Sequence, residues 1–191
     1  MRLLKPFVSL FAFLAVSTTS LLAEREVFVI DPVHSGVEFR VGHFFNQVPG
    51  RFNSFSGELH LDRSNLSNSV AQATIEVASI DTNNSDRDAH LRTDDFFDAE
   101  NYPEITFLST QWENTGNDTF KITGDLTIRG VTKEVVLDAR VLGFGQGRGD
   151  TIVTGWKART TIDRTDFGVS YGRPVIGSSV DIVLSVQGHK N

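Results

Sequence analysis

From about residue 24 onward, apolar and polar residues alternate with period 2. Val37-Glu38-Phe39-Arg40-Val41 is apolar at every second position, and so are Leu59-His60-Leu61, Ala73-Thr74-Ile75-Glu76-Val77 and Ile105-Thr106-Phe107. The pattern returns in Phe120-Lys121-Ile122, Leu126-Thr127-Ile128 and Val180-Asp181-Ile182-Val183-Leu184. Successive strand side chains point to opposite faces, so one face meets an apolar interior and the other meets water. Turn-forming stretches separate the runs: Pro49-Gly50, Asn65 to Asn68, Asn114 to Asp118, Arg129-Gly130 and Gly143 to Asp150. Short connections between alternating strands favour antiparallel hairpins. About eight to ten strands result, and closing them into a barrel removes the exposed edges. The expected fold class is all-β, an antiparallel closed barrel with one short helix. Strand parity assigns its interior face to Val37, Phe39, Val41, Phe55, Leu59, Ile75, Val77, Phe107, Ile122, Leu126, Ile128, Trp156, Ile162, Ile182 and Leu184. One bulge inverts the set of a whole strand.

The helix is expected over residues 86–93, where the alternation stops. Ser85 followed by Asp88 resembles a capping box, with Ser85 as N-cap. Asp94-Asp-Phe-Phe-Asp-Ala is consistent with a further turn beyond the helix. The adjacent Phe96 and Phe97 then point to different sides, one of them plugging the barrel. With Phe44 and Phe45, they are the candidates for a mouth or lid. No linker or internal repeat divides the chain, so a single domain over residues 24–191 is expected.

Composition narrows the function. The chain has no cysteine, which excludes a disulfide scaffold, a cysteine nucleophile and a thiolate metal site. Its net charge is −6, without a Lys/Arg cluster, so no nucleic-acid partner is expected. Phe is abundant, 15 against 2 Tyr and 2 Trp, and its lack of a polar group suits a dry interior.

Residues 1–23 read as a secretory signal peptide. Arg2 and Lys5 precede an apolar run from Pro6 to Val16. That run is shorter than the roughly 20 residues of a membrane span, so no transmembrane anchor is expected. Cleavage is assigned after Ala23, with Ser20 as the alternative. Processing removes two bases and no acid, which takes the net charge from −6 to −8.

Catalytic and metal-binding patterns are incomplete. Asp31, His34 and Ser35 supply the residue types of a hydrolytic triad, but adjacent strand residues face opposite ways. They suit a turn held by side-chain to backbone hydrogen bonds. Asp81-x-Asn83-x-Ser85 opens like a calcium loop, yet Asp86 stands where glycine is needed and Arg92 where the closing Glu belongs. Asp86 and His90 share a helix face without a third ligand, so no metal site is assigned. The Gly-rich stretch from Gly143 to Asp150 lacks the Gly-Lys-Ser/Thr ending of a phosphate loop.

Four blocks resemble the YceI-like family of lipocalin-like, polyisoprenoid-binding periplasmic proteins. The first is Asp31-Pro-Val-His-Ser-Gly-Val-Glu-Phe-Arg-Val-Gly-His43, continuing to Gly50-Arg-Phe-Asn-Ser-Phe-Ser-Gly57. The second comprises Ser79-Ile-Asp-Thr-Asn83, Arg87-Asp-Ala-His-Leu91, Asp95-Phe-Phe-Asp98 and Tyr102-Pro-Glu-Ile-Thr-Phe107. The third is Gly124-Asp-Leu-Thr-Ile-Arg-Gly-Val-Thr-Lys133, and the fourth Ile162-Asp-Arg-Thr-Asp-Phe-Gly168. The blocks span nearly the whole chain beyond the signal segment. The stretch Phe44-Phe-Asn-Gln-Val-Pro49 departs from the family pattern.

The resemblance implies an elongated apolar pocket, with a helix beside or over it, holding an isoprenoid lipid such as a quinone tail or polyprenyl chain. The interior residues named above would then line a ligand cavity. A barrel of about eight strands encloses one small ligand, and each buried methylene contributes roughly 0.8 kcal/mol. The expected function is therefore binding, transport or storage of an isoprenoid lipid in the periplasm, without catalysis and without a cofactor. A homodimer stays open. The rival expectations are a structural barrel with a filled core and an enzyme on a lipid headgroup using Asp88, His90 or His34.

The leading segment gives a direct test. Exported protein is expected to begin at Glu24 and to be soluble without detergent. N-terminal sequencing of exported material that finds Met1 would overturn the assignment.

Overall fold

A computed structural model describes residues 25–190. The expected signal peptide and its cleavage sites lie outside these residues. The described chain runs β1 (Glu26–Ile30), β2 (Gly36–His43), β3 (Asn46–Phe52), β4 (Phe55–Leu61), β5 (Val70–Glu76), β6 (Ile80–Asp81), α1 (Ser85–Leu91), β7 (Glu104–Gly116), β8 (Thr119–Ile128), β9 (Val131–Gln146), β10 (Ile152–Asp163) and β11 (Ile176–Lys190).

Eight strands form a closed antiparallel ring in the order β1-β4-β5-β7-β8-β9-β10-β11, with β11 returning to β1. The other three, β2, β3 and β6, extend the wall from β11. The excess over eight arises because wall strands are interrupted. β11 pairs with β2 as far as Ser185 opposite Gly36, then with β1 at Gly188 opposite Ile30. β1 and β2 therefore lie in line along one partner, broken at residues 31–35. β3 and β4 are likewise broken at Asn53 and Ser54, which hydrogen-bond to Ser79 and Glu76.

One end of the barrel is solid. Trp112 and Trp156, both buried, meet edge to face at 5.4 Å, and Phe120 packs against each at about 6 Å. Each indole N–H finds a hydroxyl: Trp112 donates to Ser109 Oγ at 3.0 Å and Trp156 to Thr154 Oγ1 at 2.9 Å. Phe28, Leu59, Leu61, Ile122 and Leu137 complete this floor. The second apolar cluster surrounds the opposite half, around Phe52, Phe96, Ile105, Leu126 and Phe167.

Two local expectations are corrected. Pro49-Gly50 is not a turn; both lie in β3, and the chain reverses at Phe44-Phe45. Gly50 sits opposite Phe39, where a Cβ would collide with the Phe39 ring, so its lack of a side chain makes room in the wall rather than bending it. Pro49 lies beyond the short β6 pairing, on a sheet edge where a missing ladder donor is tolerated. The helix cap is Asn84, not Ser85. Asn84 is extended, its side-chain oxygen accepts from Arg87 N at 2.9 Å, and Ser85 is already helical. Asn and Ser cap about equally well, so neighbouring candidates are separated only by where the backbone turns.

Two carboxylates organise the chain, Asp62 within the β4–β5 loop and Asp81 between β3 and β6. Hydrogen bonds from the Ser64 hydroxyl and Asn68 amide hold the buried Asp62 carboxyl down to about 2. The Asn83 backbone N–H, the Arg51 guanidinium and the Asn53 amide do the same for Asp81, also to about 2, tying β3 to β6.

Two predictions follow from these contacts. Asn84→Ala removes the cap and is expected to cost about 0.5–2 kcal/mol in denaturant unfolding, while Ser85→Ala changes little. Equal effects of the two would contradict the capping geometry. For acid stability, both aspartates have folded pKa values below the ordinary 3.8. Their contribution is complete above that value and is lost as the pH falls through about 4 to about 2. Asp62→Asn should lower the unfolding midpoint at neutral pH and flatten its fall in that acid window. A parallel fall in wild type and variant would rule out the link.

Candidate functional site

Above the aromatic floor the barrel is not filled. A cavity of about 530 Å³ runs from the floor to the end carrying α1. Its wall is built by the alternation itself. β2 supplies Val37, Phe39 and Val41, β4 Phe55, β5 Ile75, β7 Phe107, β8 Leu126 and Ile128, β10 Ile162, and β11 Ile182 and Leu184. Phe39 leans on Phe52 with ring centroids 5.7 Å apart.

Four residues assigned to the interior face do not line the cavity. Leu59, Ile122 and Trp156 belong to the packed floor. Parity tells which face a residue takes, but not its height along the barrel axis. Val77 is buried outside the cavity because β5 ends at Glu76 and the chain enters a 3-10 turn over Val77–Ser79, where parity no longer applies.

The four mouth candidates divide. Phe96 and Phe97 both line the cavity. After α1 the chain folds back, with Phe97 N bonded to Leu91 O at 3.1 Å and Asp98 N to Thr93 O at 2.8 Å. Phe96 stacks edge to face on His90 at 5.0 Å and near Tyr171 at 5.1 Å. Phe97 meets Phe52 at 6.1 Å, and Arg129 holds the segment through Phe96 O at 3.0 Å. Phe44 and Phe45, in contrast, project from the β2–β3 turn outside the cavity.

The helix is fastened by polar contacts. Thr82 Oγ1 accepts from Arg87 Nε at 2.7 Å, and Thr82 O accepts from Arg87 Nη2 at 2.7 Å. Asp88, buried, accepts from the Thr82 N–H at 2.8 Å and from its hydroxyl. Arg92 reaches Ala78 O and Ile80 O. Arg164 borders the cavity and is buried without a carboxylate partner; it donates to Gly177 O, Val169 O and Ile176 O at 2.7–3.0 Å. Burial draws its pKa below the usual guanidinium value. Sequence reasoning missed Thr82 and Arg164 as fasteners, since both lie outside the alternating runs.

The titratable groups considered for chemistry are scattered. His34 Nδ1 meets Asp31 Oδ2 at 2.6 Å on the exposed outside, where Asp31 Oδ1 also accepts from Val33 N. The His34 hydrogen bond lowers the Asp31 pKa. This is the side-chain-held turn expected from the sequence. Asp88 is committed to Thr82, and His90 borders the cavity with Nε2 2.8 Å from Asp95 Oδ2. Among the described residues no group of three or more His, Asp or Glu is placed to hold a metal ion. No helix among them is long and apolar enough to cross a membrane.

Comparison with known proteins agrees with this architecture. A UPF0312 protein of Vibrio parahaemolyticus is 37% identical over 173 residues, covering 88% of this chain and 89% of its own length. A crystal structure of the Campylobacter jejuni YceI protein matches with a TM-score of 0.72 at 32% identity, over 77% of this chain and 87% of that one. Burkholderia cenocepacia BcnA matches at 0.73 and 26%, over 83% and 98%. A domain from Saccharophagus degradans, described as polyisoprenoid binding, shares the fold with a TM-score of 0.66 at 17% identity, over 88% of this chain and all of that one. The YceI-like domain model matches residues 28–188, and the chain belongs to the YceI-like family.

Proposed function

We propose that the protein binds an isoprenoid lipid in the cavity between the aromatic floor and α1, and carries or stores it in the periplasm. The observation that carries this reading is the uneven filling of the barrel. The same alternating strands pack solidly around Trp112 and Trp156 and leave about 530 Å³ of apolar space above them. That volume falls within the usual range of ligand sites. The polyisoprenoid-binding description of the Saccharophagus degradans domain, which shares the fold, supports the same ligand class.

Binding rather than catalysis is the reading the polar groups favour. Asp88 anchors the helix, His34 lies outside the barrel, and His90 faces the cavity as part of an aromatic edge. A long apolar chain needs no charged partner, since each enclosed methylene adds roughly 0.8 kcal/mol.

Two substitutions separate a ligand cavity from a filled core. Trp156→Ala removes a ring from the solid floor and is expected to cost about 3–5 kcal/mol. Phe39→Ala borders open space, so the lipid-free protein should lose clearly less. Phe39→Asp sets a carboxylate beside the alkyl chain and should abolish lipid retention. The measurement is mass spectrometry of an organic extract of native protein, with thermal unfolding of each variant. Wild type that extracts lipid-free and fails to retain added farnesol would overturn the reading. Retention by Phe39→Asp at the wild-type level would do the same.

A further inference from the structure

Two phenylalanine rings that line the cavity lie in gaps left by glycines of the neighbouring strand. Gly50 stands directly opposite Phe39 in the β2–β3 ladder. A Cβ on Gly50 would collide with Phe39 Cζ and stand 2.7 Å from both Cε1 and Cε2, so the tip of the ring occupies the place of the missing side chain. On β8, Gly124 gives the same room to Phe107 of β7: a Cβ there would stand 2.5 Å from Phe107 Cζ and 2.6 Å from Cε2. Neither glycine has a positive φ, so neither is required by its backbone conformation. Glycine inside a strand costs stability through chain entropy, and a common reason for keeping it is the close approach of another group. Here that group is an aromatic ring.

The two bays shape the lumen. Phe39 and Phe107 line the cavity, whereas Gly50 and Gly124 do not, because the rings lie between them and the open space. Phe39 packs within the upper apolar cluster, and Phe107 touches both that cluster and the floor. One bay therefore widens the cavity above the floor and the other widens its bottom. A side chain opposite Phe39 would turn the ring out of its bay. The ladder pairs on either side, Val37–Phe52 and Val41–Val48, hold the two backbones together, so the ring rather than the strand gives way. The open space in front of it is the cavity. Gly124 has a further constraint, since its Cβ would also stand 2.7 Å from Leu108 O. At Gly50 the three nearest atoms all belong to the Phe39 ring, which makes it the clean position.

We propose that Gly50 is a specificity-determining residue of the cavity: by giving the Phe39 ring a bay in the wall, it keeps the lumen wide enough for a methyl-branched chain and so selects isoprenoid over straight-chain lipids. A straight alkyl chain fits a narrow tube, whereas each isoprene unit carries a methyl branch that needs added width. Interiors are packed closely enough that a single methyl group is felt. This inference rests on the isoprenoid reading of the cavity and adds the part of the wall that distinguishes such a ligand.

The test compares three alcohols: farnesol, dodecan-1-ol, which has the same main chain without branches, and hexahydrofarnesol, which keeps the branches without the double bonds. Binding to delipidated protein is measured by equilibrium dialysis with mass-spectrometric detection. Gly50→Ala is expected to cut the wild-type preference for the two branched alcohols by on the order of tenfold, with dodecan-1-ol affected less. Adding Phe39→Leu to Gly50→Ala removes the ring that the new Cβ displaces and should bring the preference back. Phe39→Trp overfills the bay with Gly50 intact and should cut the preference as well, which keeps the proposal testable if Gly50→Ala fails to fold. Thermal unfolding reads the ring contact without any ligand: Gly50→Ala should lower the midpoint in the wild-type background and not in the Phe39→Leu background. An unchanged preference in Gly50→Ala or in Phe39→Trp overturns the proposal. So does an equal loss of all three alcohols, a double variant that fails to regain the preference, or hexahydrofarnesol that follows dodecan-1-ol. Wild type that binds none of the three overturns the isoprenoid reading and this proposal with it, whereas wild type that prefers the branched alcohols while Gly50→Ala does so equally overturns the proposal alone.

Discussion

Closure of the ring rests on a short seam. β1 meets β11 at Val29–His189 and Ile30–Gly188. Without that seam β11 would end as an open edge beyond Ser185, and the interior would have no continuous wall. The seam is reinforced where β11 changes partner from β2 to β1. Asp31 N donates to Gln187 O at 2.8 Å, Gln187 N donates to Ser35 Oγ at 2.9 Å, and Lys190 pairs with Glu26 at 2.9 Å. Asp31 to Ser35 thus serve architecture. Gly188 contributes by having no side chain: a Cβ there would crowd Phe28 at 3.1 Å and Thr154 at 3.3 Å, both part of the buried floor.

Closure also explains why the barrel is filled unevenly. The complete eight-strand ring surrounds the floor, where large rings from β7, β8 and β10 reach one another across the axis. Higher up, β2, β3 and the two-residue β6 continue the wall from β1, β4 and β5, whose upper ends still contribute Ile30, Phe55 and Ile75. Val37, Val41 and Ile75 line that part together with Phe39, Phe55 and Phe107, and these side chains leave space between them. α1 and Phe96-Phe97 cover it, held by polar contacts rather than by a continued sheet.

The sequence made the strands and the inward face legible because period-2 alternation is a direct consequence of strand geometry. It made the segment from Ser85 onward legible as helix because the alternation stops there. It could not show that Leu59 and Trp156 lie at the floor while Phe39 and Ile182 lie at the cavity. Height along the barrel depends on register between strands, and register is a long-range property. Pro49-Gly50 read as a turn because both residues favour turns locally; the Phe39 ring across the strand decided otherwise. Asn84 and Ser85 were equally good caps by chemistry. The clasp of Thr82 by Arg87 and Asp88 was only partly visible, since its residue types were present but its partner was not fixed by spacing.

The polar groups at the mouth bear on what the cavity selects. Arg87 and Arg164 are the cations that border it, and both direct their N–H groups at oxygens of the protein itself. Among the described residues no buried side-chain polar atom lacks a partner. An occupant therefore meets a wall with no unpaired buried donor or acceptor waiting for it. A group that loses its hydration in such a wall without gaining a partner is disfavoured by several kcal/mol, whereas methylene and methyl groups gain on entry. Selection inside the barrel then follows apolarity, length and branching. At the rim, Asp86, His90 and Tyr171 stand within reach of water, so a polar group there keeps its hydration. The fold thus divides its labour by height: a solid floor that sets stability, an undemanding apolar middle, and a polar rim fastened to itself.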